Sequence, residues 1–588
     1  MTLLPEQTIF HPIPPENVRV SGELLERLKR AANRLLYEPP YSEEYLLHSV
    51  NYAPGTLSHF TDWSGDMSGR WVYALTAAQR ITGEPYPKLT TIAEKLRKCQ
   101  KEDGHFGKEQ PISTTDRAQI YGNGWILPAL TEFALSTGDE HFLQAAKRLG
   151  DYYVAVQDYW FDSSERMKLD EFYAKDFSNF LHALEGLVLL YRVTRKPQYL
   201  EISRRMADNL LSFSESDHSH NFLSTRRGLL DLYGVTGEAR YLEMAEADWE
   251  RVRASAMIPT GGVFERFKDP RRDEGCTEAD WLRFNLQLWQ CTGKTQYLDL
   301  AERILLNDFF YNQLSNGGFG HNIIAPLLSR DPLEAVWCCT MHGTHTLAVL
   351  PRYLVTHSES EIFIGLYASC QVVVPWPEPV SITIETDSPA ASEMKITVAT
   401  ASSCEFGLNI RVAPWATLEQ ITVAGEPVEG EVRDGFVRIQ QSWEGETMIE
   451  MELGSGLWIE AKRNPVPKSE IAPGKAWLDA SLFFGPLLLT HNTESIEGVS
   501  PVLLLPVDGN GQFTSETITC IQQRLQSRNG SPLSLYEATG AEVWAKQESI
   551  DALLTAASIA PKRLCSLYPA SERQGRFYRF PIILTDVE

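Results

Sequence analysis

Apolar residues recur at helical spacing between residues 21 and 356, and short polar stops interrupt them at intervals. The segments built in this way begin at Leu75, Leu130, Leu189, Leu229 and Leu286. Most of the stops contain a Thr-Gly or similar step, and glycine there can take the left-handed conformation that closes a helix. Each segment is therefore predicted to be an αα-hairpin, an apolar helix followed by a second one.

A further helix is predicted over residues 345–355, with the sequence HTLAVLPRYLV. Together with the hairpins it gives the number of units expected of an (α/α)6 barrel, a toroid of inner and outer helices. Long segments rich in Trp, His, Asp and Gly recur at one end of successive hairpins. Such convergent aromatic and polar side chains are typical of a binding pocket, here one suited to sugars.

After Ser358 the pattern changes from helical to alternating, with short apolar runs separated by Gly, Pro, Asp and Ser. This alternation predicts a β-sandwich, and a weaker series of strands follows Trp458. We therefore predict a multidomain α + β fold, an N-terminal (α/α)6 barrel followed by C-terminal β-sandwich domains. The predicted units are an N-terminal extension (1–20), the barrel catalytic domain (21–356), a β-sandwich (357–460) and a second β-rich domain (461–588).

Composition and charge narrow the class of protein and its partners. The chain has 588 residues, of which 43% are hydrophobic and 22% charged, as in a soluble protein with a sizeable core. No apolar run approaches the roughly 20 residues that cross a bilayer, so membrane insertion is not expected. The formal net charge of −23 disfavours nucleic acid and anionic membranes, which need a positive field. A neutral oligosaccharide or glycoside is compatible with this charge, and a homo-oligomer is left open.

The N-terminus and the cysteines indicate a reducing compartment. The first residues, MTLLPEQTIFHPIPPENVRV, lack the basic and apolar regions of a signal peptide. The chain has nine cysteines, an odd number, without the spacing of a disulfide framework. We therefore predict a cytoplasmic protein with free thiols. The isolated cysteines are interpreted as buried core residues: Cys99, Cys291, Cys370, Cys404, Cys520 and Cys565.

The remaining cysteines form a candidate metal site with one glutamate. Glu274 and Cys276 form a Glu-x-Cys motif, and Cys338 and Cys339 are adjacent in what is predicted to be an extended loop. Three thiols and a carboxylate match the ligand number and softness that Zn²⁺ prefers. The spacing is not that of a zinc finger, so one of the adjacent thiols is free for another role. Burial as ordinary core residues and a strained vicinal disulfide remain alternatives.

These motifs resemble those of glycoside hydrolase family 127, the β-L-arabinofuranosidase family. The resemblance rests on Glu-x-Cys with Cys-Cys, on the LNIRVAPW run and on the FFGPLLL strand. It implies a retaining hydrolase that releases a terminal furanose by means of a zinc-bound cysteine nucleophile. By the same resemblance, Glu274, Cys276 and Cys339 are fixed zinc ligands, and Cys338 is the nucleophile beside the metal. Glu265, in TGGVFERF, is the implied general acid/base.

The chemistry of these groups is consistent with that assignment. Coordination to zinc holds a thiol as thiolate at neutral pH, so the nucleophile needs no partner base. Phe264 and Phe267 flank Glu265 and are expected to raise its pKa toward that of a general acid. The alternative is a surface glutamate paired with Arg266 or Arg271. Two further carboxylates are weaker candidates for the acid/base role, Glu278 and Asp280.

Four residues are predicted to contact the sugar. The resemblance implies this role for His218, and His220 lies in the same DHSHN stretch. Asn123 and Trp125 occupy a segment where the family has a histidine. Other classes of function remain open, because the same barrel also hosts sugar epimerases and polysaccharide lyases with His or Tyr acid/base groups. A carbohydrate-binding protein with a purely structural zinc is the third alternative.

Overall fold

The computed structural model describes residues 3–51, 65–108, 117–162, 176–325, 328–329, 333–389, 392–461, 476–491, 499–507, 518–526, 532–539, 541–546, 564–569 and 580–586. Its first half is helical and its second half consists of strands. The helices are α1 Gly22–Tyr37, α2 Glu43–Asn51, α3 Asp66–Thr82, α4 Pro87–Lys98, α5 Arg117–Thr137, α6 Glu140–Asp162, α7 Asp176–Leu181, α8 Leu184–Thr194, α9 Pro197–Ala207, α10 Ser219–Thr236, α11 Ala239–Ala256, α12 Gly275–Thr292, α13 Thr295–Ile304, α14 Phe310–Asn312 and α15 Cys339–Val349.

Strands fill most of the rest of the described chain. Those that precede the C-terminal half are β1 His11–Pro12, β2 Val18–Val20, β3 Phe264–Arg266, β4 Asp269–Glu274, β5 Gly320–Ala325, β6 Leu328–Ser329 and β7 Leu333–Glu334. The C-terminal strands are β8 Val355–His357, β9 Glu361–Ile364, β10 Cys370–Val374, β11 Val380–Thr386, β12 Glu393–Arg411, β13 Ala416–Val423, β14 Glu426–Pro427, β15 Val432–Arg433, β16 Phe436–Ser455, β17 Leu457–Ala461, β18 Ala476–Phe484, β19 Leu487–His491, β20 Val499–Val507, β21 Ile518–Gln526, β22 Pro532–Thr539, β23 Ala541–Lys546, β24 Leu564–Pro569 and β25 Phe580–Asp586.

Six helices of the described chain close into an inner ring. Each of α3, α5, α8, α10, α12 and α15 contacts the next, and α15 contacts α3. The outer helices α4, α6, α9, α11 and α13 each pack against the inner helix that precedes them, and α1 packs against α15. This is the predicted (α/α)6 barrel, and with the C-terminal sheets it confirms the predicted fold class.

Left-handed residues end the inner helices, as the sequence predicted. Gly83 has φ of 69°, and its N–H donates to the carbonyl of Gln79. Gly237 and Gly293 follow the same pattern with φ of 68°. In the third hairpin Arg195 takes this conformation instead, with φ of 58°. Because glycine adopts a positive φ without steric cost, it is the usual but not the obligatory residue at such a stop.

The sixth inner helix differs from its prediction. It begins at Cys339 rather than at residue 345, and it ends at Val349. A 3-10 turn, Leu350–Tyr353, follows, because Pro351 lacks the N–H that would continue the α-helical hydrogen bonds. Cys338 is the N-cap residue of this helix. The cysteine pair therefore lies at a helix N-terminus, and its predicted placement in an extended loop is wrong.

The inner helices run in one direction, so the barrel has two chemically distinct ends. Their first turns meet at what we call the front end, which contains the cysteines. Residues from the last turns and from other turns of these helices line a cavity of about 160 Å³ at the rear end, which residues of the N-terminal segment also line. That segment is fixed by Glu6, which contacts Arg192 and accepts a hydrogen bond from Gln290.

The C-terminal half contains two large sheets. Within the described strands, the first sheet has eleven members, and its long pair β12 and β16 is antiparallel. β1 and β2 join this sheet by pairing with β8 and β10, so the N-terminal segment crosses from barrel to sheet. The second sheet joins β17 to β25. A small sheet of β3 to β7 lies at the front end and carries part of the candidate site.

Cysteine burial agrees with prediction only in part. Cys291 and Cys370 are buried, whereas Cys99 and Cys404 are half-buried, so the prediction is wrong for the latter two. The side chains of Cys520 and Cys565 lie outside the described residues. All cysteines described are free thiols. In the part of the chain that is described, no helix is long and apolar enough to cross a membrane.

Candidate metal centre and active site

The four predicted metal ligands meet where the first turns of α12 and α15 approach each other. Glu274 is the N-cap residue of α12, and Cys276 lies in its first turn. The Sγ of Cys339 lies 3.6 Å from that of Cys276 and 3.5 Å from that of Cys338. Glu274 Oε1 is 3.9 Å from Cys339 Sγ. One ligand atom from each residue lies within 4.8 Å of all the others, and every one of these side chains is buried.

This geometry fits a zinc ion. Zinc–sulfur bonds of about 2.3 Å in a tetrahedral site place sulfurs roughly 3.8 Å apart, close to the separations found here. The close approach depends on Gly275, since a Cβ at that position would lie 3.2 Å from Cys339 Cβ. The vicinal disulfide is wrong, because 3.5 Å is far longer than a sulfur–sulfur bond of about 2.05 Å. Three thiols and a carboxylate are thus arranged as a metal-ligand set.

Among the three thiols, Cys338 is the one that the protein favours as thiolate. Burial raises its pKa, but hydrogen bonds to its sulfur from Cys276, Cys339 and His321 outweigh burial and lower it well below the usual value. Burial raises the pKa of the thiols of Cys276 and Cys339. The N-termini of α12 and α15 add positive electrostatic potential, which also stabilises thiolates. Cys338 is therefore the thiol of this cluster whose pKa its surroundings lower, whereas burial raises the pKa of the other two.

Glu265 lies across the site on β3, and its side chain is buried. It forms a bidentate ion pair with Arg272, in which Nη2 donates to Oε1 at 2.5 Å. His321 Nδ1 lies 4.0 Å from the same oxygen. Apolar surroundings were predicted for Glu265 from Phe264 and Phe267. That prediction is incomplete, because the guanidinium group of Arg272 faces this carboxylate. Arg271, one of the predicted surface partners, pairs with Asp269 instead.

His218 connects the metal cluster with Glu265. It is the N-cap residue of α10, and its Nε2 lies 3.5 Å from Glu274 Oε2. His218, Glu265 and Glu274 form a second group whose ligand atoms lie within 4.8 Å of one another. Burial, with a further contribution from His220, lowers the pKa of His218 to about 3. The imidazole is therefore neutral and can exchange hydrogen bonds with a sugar hydroxyl without carrying charge.

The predicted contact residue His220 lies deeper in the barrel. Its Nδ1 is 2.5 Å from Asp280 Oδ2, and its Nε2 is 3.1 Å from the hydroxyl of Tyr121. His342 Nε2 lies 2.8 Å from Oδ1 of the same carboxylate. Burial raises the pKa of Asp280, but His342, His220 and Arg227 outweigh it, so the net shift is well below the usual value. Asp280 is thus a buried carboxylate that binds His220, His342 and Arg227.

The other weak acid/base candidate, Glu278, belongs to a separate buried cluster with Asp273 and Asp308. Asn312 donates to its Oε1 at 2.8 Å. Burial and the neighbouring carboxylates raise the pKa of Glu278 well above its usual value. Its side chain is fully buried.

Asn123 and Trp125 lie on α5 at the front end, and both are buried. The amide of Asn123 donates to the carbonyls of Phe106 and Gln119 and accepts from the N–H of Phe106. The Asn123 side chain therefore links the backbone at Phe106 to α5. Trp125 lies between cationic and imidazole groups, with the Arg70 guanidinium carbon 3.8 Å from its ring centroid.

Besides Arg272, two residues of the site were not identified from the sequence. His321, on β5, lies 4.0 Å from Cys339 Sγ through Nε2. Arg70, on α3, donates to Cys276 Sγ at 3.7 Å. Neither forms a recognisable motif with the cysteines, because His321 lies 18 residues from Cys339 and Arg70 lies 206 residues from Cys276. Arg70 lies in TDWSGDMSGRW, residues 61–71, which is one of the recurring segments rich in Trp, Asp and Gly, and this was the available signal for it.

Two family models and one curated protein match the chain. The family model described as the β-L-arabinofuranosidase GH127 catalytic domain matches residues 26–352, and that of the GH127 middle domain matches residues 361–455. A non-reducing end β-L-arabinofuranosidase from Bifidobacterium longum subsp. longum is 23% identical over 413 residues, 63% of this chain. The chain spans 57% of the length of that relative.

Solved structures share the whole fold. One described as a GH127 β-arabinofuranosidase has a TM-score of 0.73 at 16% identity and covers 98% of both chains. A GH127 β-L-arabinofuranosidase from Geobacillus stearothermophilus T6 has a TM-score of 0.72 at 16% identity, covering 97% of this chain and 100% of its own.

Fold and site together define an (α/α)6-barrel protein with a buried thiol and carboxylate cluster at its mouth and C-terminal β-sheet domains. The family match extends over more than half of the chain. The chain belongs to GH127, a family of glycoside hydrolases, and the family predicted from its motifs is confirmed.

Proposed function

We propose that this protein is a retaining glycoside hydrolase that releases a terminal L-arabinofuranose-like sugar from an oligosaccharide or glycoconjugate. The observation that carries the proposal is the placement of Cys338 beside two further thiols and Glu274, with the Glu265 carboxylate across the same site. Membership of GH127 and the described activity of the Bifidobacterium longum relative support the sugar class.

Glu274, Cys276, Cys338 and Cys339 would hold the Zn²⁺ ion. When bound, zinc keeps the sulfur of Cys338 deprotonated at neutral pH. The arrangement of the thiols supports different roles for them, with Cys338 as the nucleophile and Cys276 and Cys339 as ligands only. Cys276 and Cys339 lie in the first turns of α12 and α15, whereas Cys338 caps α15 from outside the helix.

In the first step the Cys338 sulfur attacks the anomeric carbon, and the bond from that carbon to the leaving oxygen breaks. Glu265 transfers its proton to the leaving oxygen, so the aglycone departs as an alcohol. The Arg272 pair has to open for Glu265 to carry that proton. The sugar is then held by a carbon–sulfur bond to Cys338.

In the second step the ionised Glu265 takes a proton from water, whose oxygen attacks the same anomeric carbon. The carbon–sulfur bond breaks, and its electron pair returns to Cys338. Two inversions at one carbon give net retention. His218 is proposed to contact a sugar hydroxyl, and the buried His220, Trp125 and Asn123 to support the wall behind it.

An arabinofuranose analogue that bears a haloacetamide tests this assignment directly. Incubation followed by intact-mass measurement and peptide mapping should find one label per chain, on Cys338, and excess L-arabinose should slow the labelling. The Cys338→Ser variant should remain unlabelled. Elemental analysis of the reduced wild-type protein should find about one zinc per chain. A label on a carboxylate, or full activity without zinc, contradicts the proposal.

A further inference from the structure

Arg70 is the buried cation next to the thiols. Its side chain is 3% exposed, and it lies on α3, which packs against α15 in the inner ring. Nη1 donates to Cys276 Sγ at 3.7 Å. Nη2 donates to the Tyr121 hydroxyl at 2.9 Å and lies 3.3 Å from His220 Nε2. One guanidinium group therefore joins a metal-ligand sulfur to the network behind the site.

Asp66 orients this guanidinium. Its Oδ1 accepts from Arg70 Nε at 2.9 Å, and both side chains are buried. The ring of Trp125 covers the guanidinium face, 3.8 Å from its carbon. With one edge held by Asp66 and one face by Trp125, the Nη1 edge is directed at Cys276. Arginine suits this role because its donors form a rigid planar fork.

The charge of the ligand set explains why a cation is needed here. Glu274 and three thiolates carry four negative charges, and a zinc ion supplies two positive ones. The excess is buried, where unpaired charge is costly. Helix N-termini offset part of it. Among the described side chains that bond to these sulfurs, Arg70 is the guanidinium donor.

We propose that Arg70 is a positioning residue that stabilises the thiolate of Cys276 and thereby sets how tightly the metal is held, with Asp66 moderating its charge. This inference rests on the proposed zinc centre and extends it to residues outside the ligand set. Arg70 acts through Cys276 and His220 and does not itself touch the reacting carbon.

Because Arg70 and Asp66 carry opposite charges, the proposal predicts opposite changes in the rate of zinc loss when each residue is neutralised. A role in packing alone would not predict this. Arg70→Met removes the positive charge and the sulfur hydrogen bond, so zinc should be lost faster. Asp66→Asn keeps an oxygen that accepts from Arg70 Nε but removes the opposing negative charge, so zinc should be lost more slowly. If the pair served only to pack the barrel, both variants would loosen the site in the same direction.

The experiment measures zinc transfer from the purified full-length protein to a chromogenic chelator. We expect Arg70→Met to release zinc about tenfold or more faster, as for the loss of a charge-assisted hydrogen bond. Asp66→Asn should release it about two- to threefold more slowly, and Arg70→Lys should fall between Arg70→Met and wild type. In cobalt-loaded protein, the sulfur-to-metal charge-transfer band should move to longer wavelength in Arg70→Met and to shorter wavelength in Asp66→Asn.

Arg226 offers a matched control. It is equally buried, pairs with Asp248 at 2.8 Å and lies over the Phe222 ring, but its described partners do not include the thiols. Arg226→Met should leave the zinc release rate within about twofold of wild type, even if it lowers thermal stability. Equal rates for all variants, or faster release from both Arg70→Met and Asp66→Asn, overturn the inference. Absence of zinc from the wild-type protein would instead contradict the proposed function.

Discussion

The front and rear ends of the barrel are formed by the same inner helices but carry different chemistry. The front end gathers thiols and imidazoles at helix N-termini. The rear end gathers arginines that are each close to a carboxylate. Arg80 and Arg192, in the last turns of α3 and α8, pair with Glu132 and Glu6, and Arg283, in the middle of α12, pairs with Glu185. Helix polarity favours this division, because N-termini stabilise anions and C-termini stabilise cations.

The difference also lies in how the charges are balanced. At the rear end each of the three arginines named above is paired with a carboxylate of the protein. At the front end three thiols and Glu274 face one another, and the protein supplies fewer cations than anions. The front end is therefore the end to which we assign the proposed metal ion and the proposed chemistry. The predictions below test this contrast, starting with the largest effect.

Replacing a thiol should lower kcat at the front end but not at the rear end. Cys338→Ser should lower kcat by about a thousandfold or more, as for the loss of a nucleophile, because a serine hydroxyl stays protonated there. Cys291 is a buried thiol that lines the rear cavity, and Cys291→Ser is the matched control. Its kcat on a nitrophenyl arabinofuranoside should stay within a few-fold of wild type. Comparable losses in both variants would remove the functional distinction between the ends.

Neutralising a carboxylate that is paired with arginine should lower the rate of hydrolysis at the front end but not at the rear end. Glu265→Gln should lower the rate by about a hundredfold or more on substrates with a basic leaving group, and less on nitrophenyl glycosides. Glu132→Gln, at the rear end, should change neither rate appreciably. Zinc content should be unchanged in both proteins. Equal and near wild-type rates of Glu265→Gln on both substrates would transfer the acid/base role to another group.

Acid sensitivity should arise from the buried imidazole of His342. Burial lowers its pKa to about 3, so between pH 6.5 and pH 3 the unfolded chain binds a proton that the folded protein does not. Stability is therefore lost as pH falls through this window, by about 1.4 kcal/mol per pH unit for one group. His342→Gln should remove about 2 kcal/mol of this loss between pH 6.5 and pH 5. Thermal melting at several pH values measures it, and unchanged pH dependence in the variant would contradict the assignment.

The smallest effect is expected at the rear end. Arg192→Met removes the ion pair with Glu6, in which both side chains are 17% exposed. Pairs of this kind contribute about 1 kcal/mol or less. Thermal stability should fall slightly, while zinc content and kcat stay at wild-type values. A large loss of activity would mean that the N-terminal segment and the front end are coupled through the barrel.

The local pattern of apolar and polar residues was sufficient to predict the architecture. Helical periodicity, glycine stops such as Gly83 and Gly237, and the change to alternation after Ser358 predicted a helical barrel followed by β-sheet domains. These signals are readable because each depends on residues close together in the chain. The Glu-x-Cys and Cys-Cys motifs predicted the family for the same reason. The predicted domain boundaries, cytoplasmic location and oligomeric state remain predictions.

Only the tertiary structure decided how the site is assembled. Arg70 and Cys276 are 206 residues apart in the chain, and His321 and Glu265 come from separate strands, so no local pattern links them. The helix start at Cys339 follows from the packing of α15 into the inner ring, which makes Cys338 a capping residue. Likewise, Glu265 faces Arg272 because the small front sheet brings β3 and β4 together. The sequence determined which reactive groups are present, and the closed ring of helices determined which of them meet.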